Sequence, residues 1–481
     1  MSLAHLFSQR FLIVCFILLS LNIQAQEYEL KPRRIYSKQD RLRGELTIFR
    51  TCFDVHYYHL DLKINPKKQS IEGSNEIHFQ VTSTTKKIQI DLFSNLNIDK
   101  IIWKDKELKY SHKNNAVFID FPIDLEKNSL ENINVYYHGK PKTSYELMMA
   151  NKGFFWSKDD KGRNWVAVSC EHLGASMWWP NKDHLSDEPD SMRISLTTPK
   201  ELECISNGRL ESIEKVDDEY SRHNWFVNNP INNYNVSFYL GHYVAKAFKY
   251  ENSSGEHDIF IYALDYDEPF MVNYYAIVPT ALKFYESLFG EYAFWNDKYA
   301  ILQSPNPGME HQSCLAIGPE IRTYNNWYYT AGTIWHSTLV HEMAHEWWGN
   351  SVSVSDMADA WIHEGFATYC EMLLIEELYG YDEYLKNIKW IKSSVSGYYP
   401  IVGNTGVNED TFLGSDIYFR GAYVLHELRE ELGKQIFLGI LMSFQHRYRK
   451  SNVTTQDFID FVNEMTKKDY TTFLKDRLYK K

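Results

Sequence analysis

The sequence predicts an α+β protein: an all-β, sandwich-like first half, then a mostly helical second half with a small sheet. Between about residues 45 and 245, apolar and polar side chains alternate at the two-residue strand period, in short runs parted by polar turns. Beyond residue 245 one short β section gives way to helical periodicity. The chain has 481 residues, 44% hydrophobic and 24% charged, so it can bury a sizeable core and is not disordered. Acidic residues exceed basic ones by 63 − 51 = 12. That balance argues against a nucleic-acid binder, which needs positive charge.

The first 25 residues read as a secretory signal peptide. Arg10 precedes a largely apolar run from Phe11 to Leu21, and the small residue Ala25 ends it. The run is short for a membrane span, and no later segment reaches spanning length. The expected organisation is therefore a signal peptide at 1–25, a β domain at 26–245 and a mostly helical domain at 246–481, with export to the periplasm or medium. Cys52, Cys170, Cys204, Cys314 and Cys370 remain after the signal. Their number is odd and their spacing wide, which leaves room for one bridge but not for a disulfide framework.

In the first half, Leu60, Leu62 and Ile64 share one face of a strand, as do Ile77, Phe79 and Val81. Lys87–Leu92 and Ile133–Tyr137 continue the pattern, and Asn65-Pro66-Lys67-Lys68 marks a turn. In the second half, strands are expected at 259–262 and 298–302. Helices are expected near 270–289, 332–349, 357–379, 417–432, 434–449 and 455–465.

The chemistry concentrates at His341-Glu342-Met343-Ala344-His345. On a helix, two imidazoles four residues apart face one way and can share a metal ion. Glu342 lies close enough to take a proton from a water beside that ion. Glu364 follows His345 by 364 − 345 = 19 residues, room for one helix to end and a second to return antiparallel. Two His and one Glu leave a fourth zinc position open, the catalytic arrangement. The plainer alternative is a histidine pair on an amphipathic helix with an unrelated helix carboxylate. His363 reads as a supporting or packing residue.

His341-Glu342-x-x-His345 with Glu364, inside Trp361-x-His363-Glu364-Gly365-Phe366-Ala367, resembles the gluzincin zinc aminopeptidases of the alanyl aminopeptidase and leukotriene hydrolase type. Pro307-Gly308-Met309-Glu310-His311 is similar to that family's G-x-M-E-N exopeptidase motif, and Tyr418-Phe419-Arg420-Gly421 to its Y-x-K-G segment. Ser169-Cys170-Glu171 through Trp179-Pro180 resembles the stretch that lends a Gln or Glu to the substrate amine. Pro307, His311, His363 and Arg420 depart from the usual residues.

The resemblance implies a saddle-like β domain followed by a thermolysin-like domain, in a short member without the large C-terminal helical domain. It implies one zinc ion per chain, held by His341, His345 and Glu364, and a metal-activated water. Glu342 would be the general base, and Tyr418 would stabilise the transition state. Gly308 and Met309 would line the substrate, while Glu310 and Glu171 would hold its free amine. The expected substrates are peptides with a free N-terminus. Two other readings remain open at this stage: a thermolysin-type endopeptidase, and a non-catalytic zinc-bearing module that binds peptides.

Overall fold

The structure is a computed structural model that describes residues 36, 38–146, 152–318, 337–407 and 414–480. The signal-peptide reading falls outside these residues, as does the start of the helix expected near 332.

Strand Phe53–Asn65 sets the frame of the first half. Its Leu60, Leu62 and Ile64 are buried while the intervening side chains are partly exposed, so the two-residue period becomes one wet and one dry face. It pairs antiparallel with Ser70–Val81 and parallel with Ser191–Pro199, at the centre of an eight-stranded sheet. A three-stranded sheet (Thr85–Asp91, Ala116–Leu125, Lys109–Lys113) and a four-stranded sheet (Glu203–Ser206, Phe238–Gly241, Asn164–Ser169, Gly153–Lys158) complete this half.

A five-stranded sheet follows, in the order Tyr243–Asn252, Gly255–Leu264, Tyr299–Gln303, Leu315–Ile317, Gly308–Met309. Its alternation divides it between two cores. Ile301, Leu315 and Ile317 face the helical core, whereas Leu302, Met309 and Ala316 face the β core. The sheet therefore joins the two halves, and its last strand, Gly308–Met309, lies at the edge.

The described helices are α1 (Lys38–Gly44), α2 (Ile48–Thr51), α3 (Glu268–Phe289), α4 (Ser337–His345), α5 (Trp361–Tyr379), α6 (Tyr381–Ser394), α7 (Asp416–Leu432), α8 (Lys434–Arg447), α9 (Thr455–Thr466) and α10 (Thr471–Leu478). Residues 361–375 of α5 are buried on every face, so this helix forms the axis of the helical half. Four helices, α1, α2, α6 and α10, escape the sequence reading: α1, α2 and α10 have eight residues or fewer, and α6 begins directly after Gly380 with no spacer from α5. The five cysteines of the described residues are buried and free. No described helix is long and apolar enough to cross a membrane.

Candidate active site

His341 and His345 stand one turn apart on α4, with their Nε2 atoms 3.0 Å from each other. Helix α4 stops at His345. The chain turns through Gly349, at φ 134°, and returns as strand Val352–Val354. Asp356 then accepts from Ala358 N (2.9 Å) and caps the single turn Met357–Asp359 that leads into α5. The first turn of α5 delivers Glu364, whose Oε2 lies 3.2 Å from His341 Nε2 and 3.4 Å from His345 Nε2.

These three atoms fit a zinc ion. Tetrahedral ligands about 2.0–2.1 Å from zinc stand roughly 3.3 Å apart. The proton pattern agrees. His341 Nδ1 donates to Glu371 Oε1 (2.9 Å), and His345 Nδ1 donates to the Trp348 carbonyl (2.8 Å). Both Nε2 lone pairs are thereby turned inward. Burial works to lower the His341 pKa, yet the carboxylates of Glu364 and Glu371 hold it well above its ordinary value. Burial works to raise Glu364, and the two imidazoles pull it well below the carboxylate range. The pocket is thus built for positive charge.

Glu342 occupies the same helix and is buried. Burial lifts its carboxyl to about 8 against the pull of His341 and His345, with Glu310 adding to the rise. A cation at the triad acts in the opposite direction. Gly308 explains how the edge strand comes so close: a Cβ there would sit 2.5 Å from Glu342 Oε1. Met309 is buried beside it.

Glu310 follows that strand. Ligand atoms of Glu310, Glu342 and His345 lie within 4.8 Å of one another. Tyr234 donates to Glu310 Oε1 (2.9 Å), and Asn350 Nδ2 donates to the Glu310 carbonyl (2.8 Å). Glu171 reaches the same end of the pocket, 3.2 Å from His172 Nε2. Burial, and next the Glu310 carboxylate, push Glu171 well above the usual range. Tyr418 lies against the other side, its ring stacked on His341 with centroids 5.8 Å apart. Burial and nearby Glu364 raise its hydroxyl well above the ordinary phenol value, so it remains a donor at neutral pH.

The departures from the motifs have local explanations. The Pro307 carbonyl accepts from Gly318 N (2.8 Å), a contact that needs no N–H on the proline. His311 is buried against the Tyr239 hydroxyl, and burial lowers its pKa to about 3, so it packs as a neutral ring. His363 Nε2 accepts from Val354 N (2.9 Å), while its ring stacks on Tyr234, which holds Glu310. Arg420 points away from the pocket and donates to the carbonyls of Tyr399 and Lys480.

All nine residues singled out from the sequence line one cavity of about 580 Å3. The sequence reading missed Glu371, Tyr234 and Asn350, and the wall formed by Thr368, Trp390 and Phe419. Glu371 carried a signal, since it follows Glu364 by seven residues, two turns along one face. Tyr234 and Asn350 carried none, because only the fold brings them to Glu310.

Two family models match: the M1 N-terminal domain over residues 54–234, and the peptidase family M1 domain over 275–476. The chain belongs to the M1 peptidase family. Glutamyl aminopeptidase of Mus musculus is 24% identical over 357 residues, covering 66% of this chain and 36% of that protein. Aminopeptidase 2 of Candida albicans is 22% identical over 437 residues, covering 85% and 46%. The chain thus spans less than half the length of these curated relatives. An M1 zinc metallopeptidase of Deinococcus radiodurans, solved with a Tyr-Ser-Ala substrate, shares the fold with a TM-score of 0.75 at 19% identity. That match covers 90% of this chain and 95% of the other.

Proposed function

We propose that this chain is an exported zinc aminopeptidase that removes the N-terminal residue of peptides. One observation carries the reading: a buried acidic end, Glu310 with Glu171, sits directly beside the His341–His345–Glu364 triad. A carboxylate pair there suits a free α-ammonium and measures off one residue from it to the scissile carbonyl. An endopeptidase has no use for such an anchor. The family and its named aminopeptidase relatives support the same activity. Export rests on the leader read at residues 1–25.

Zinc held by His341, His345 and Glu364 supplies Lewis acidity toward a carbonyl and makes a water more acidic. Glu342 accepts the proton of the attacking water at its carboxylate and passes it to the leaving amine. Tyr418 donates its hydroxyl proton in a hydrogen bond to the oxyanion that develops on the substrate. Glu310 and Glu171 hold the ammonium, so the carbonyl reaches the triad in one register. The Trp390–Phe419 pair, with ring centroids 5.2 Å apart, forms an aromatic wall of the same cavity.

The test is hydrolysis of aminoacyl-p-nitroanilides against their N-acetylated counterparts, before and after zinc chelation. Chelator-sensitive cleavage of the free amines alone is expected. Cleavage of the blocked substrates would replace this reading with an endopeptidase. Inactivity on both, with zinc bound, would leave a peptide-binding module.

A further inference from the structure

Glu171 sits in a tight turn. Both Leu173 N and Gly174 N donate to the Cys170 carbonyl (3.0 Å each). His172 adopts φ 60° and Gly174 φ 88°, so the turn has two residues in the left-handed region. Such a turn needs support from outside. Lys152 Nζ meets His172 Nδ1 from one side, and further support comes from α1, a segment that precedes both stretches matched by the M1 family models.

Arg43 on α1 is buried at 5% exposure. Its Nη2 donates to the Leu173 carbonyl (2.8 Å), to Ser176 Oγ (3.3 Å) and to Asp183 Oδ2 (3.4 Å). Asp183 accepts in turn from Ala175 N (3.2 Å) and Ser176 N (3.1 Å). The guanidinium lies 4.7 Å from the Phe93 ring centre, which restricts its position. A Cβ on Gly174 would come within 2.2 Å of Asp183 Oδ2 and 2.9 Å of Arg43 Nη2. The glycine is therefore needed to admit the clamp. The neighbouring Gly44 meets Val407 of the helical half, where a Cβ would sit 2.4 Å from backbone. The C-terminal end of the segment is held from a second side as well, since Gln89 Nε2 donates to the Leu42 carbonyl (2.8 Å).

We propose that Arg43 is a positioning residue for the substrate amine, acting through the Cys170–Gly174 turn to hold Glu171 in the pocket. This rests on the aminopeptidase reading above. Arg43 touches no reacting atom. Loosening the turn lets the Glu171 carboxylate move away from Glu310, which weakens amine binding more than it slows the chemistry.

The experiment compares wild type, Arg43→Ala, Arg43→Lys and Glu171→Gln, and the double variant R43A/E171Q, on alanyl-p-nitroanilide. Arg43→Ala is expected to raise KM about tenfold with a much smaller change in kcat and full zinc content. Arg43→Lys, which keeps the charge but not the fork, is expected to fall between. In the Glu171→Gln background the Arg43 effect should vanish, because the two act as one unit. A folded Arg43→Ala protein with native KM would overturn the proposal, as would an undiminished effect in the double variant. Should Arg43→Ala not fold, Arg43→Lys carries the same comparison. Amide exchange at Gly174 tests the clamp without any activity: faster exchange in either Arg43 variant supports it, and unchanged protection overturns it. Inactive wild type would end the aminopeptidase reading, while the exchange result would still decide whether Arg43 holds the turn.

Discussion

Gly365 on α5 and Gly421 on α7 lie back to back, so that a Cβ on Gly365 would stand 2.7 Å from the Cα of Gly421. The reciprocal distance is 2.8 Å. Glu364 adjoins the first glycine, and Tyr418 lies nearly one turn before the second. The two helices are held this close so that a metal ligand and a transition-state donor share one pocket.

Replacing Gly421 with Ala should force α5 and α7 apart. Overpacking of this kind costs about 1–3 kcal/mol of stability. A displacement near 1 Å can cost about a hundredfold in rate. The expected outcome is a lower melting temperature and a kcat reduced tenfold or more, roughly, with zinc retained. Native kcat in that variant would show that the helix spacing does not set Tyr418.

Tyr418→Phe removes the donor and little else, since the ring still stacks on His341. Losing one such donor typically lowers kcat by about 10²–10³. The check is kcat together with zinc content. A normal kcat would remove Tyr418 from the mechanism.

Glu310→Gln keeps the shape of the anchor and its bond from Tyr234 but loses the charge. KM for free-amine substrates should rise while zinc stays bound. Equal kinetics in variant and wild type would dismiss Glu310 as the anchor.

Glu371→Gln should weaken the hold on zinc without touching it. The Nδ1 proton of His341 loses its charged acceptor. Carboxylates in that role are worth about 10–100-fold in metal affinity. Competition with a chelator of known affinity measures the change, and an unaltered affinity would assign Glu371 to packing alone.

Asp359 gives the fold a pH dependence of its own. Burial raises its pKa from 3.8 to about 6, although Thr455 donates to it. Between those values the folded chain keeps a proton that the unfolded chain has lost. Stability from this group is therefore full below the lower value, falls as pH rises through the window, and is flat above it. Asp359→Asn should lack the slope, so wild type should lose stability relative to the variant between about pH 4 and 6. Urea midpoints of both proteins across that range test it, and parallel curves would refute it.

How much was legible in advance differs between the elements. Strand Phe53–Asn65 shows its period because one face is wet. Helix α5 has no wet face along most of its length, so its helical character rested on its length and motif rather than on a stripe. Helix α6 was missed because it abuts α5 across Gly380. The metal triad could be read because helical spacing brings His341 to His345 and one antiparallel return supplies Glu364. The role of Glu310 came only through likeness to a motif.

What the sequence determined by itself was therefore local: the strand and helix periods, the histidine pair one turn apart, and the three further motifs on either side of it. Tertiary structure decided the rest. It set Tyr234 and Asn350 on Glu310, turned Glu371 onto His341, brought Gly421 against Gly365, and placed Arg43 under the turn that carries Glu171. The physical reason is range. Periodicity and capping act within a few residues, whereas these contacts join residues distant in sequence, which meet only when both cores close on the sheet between them.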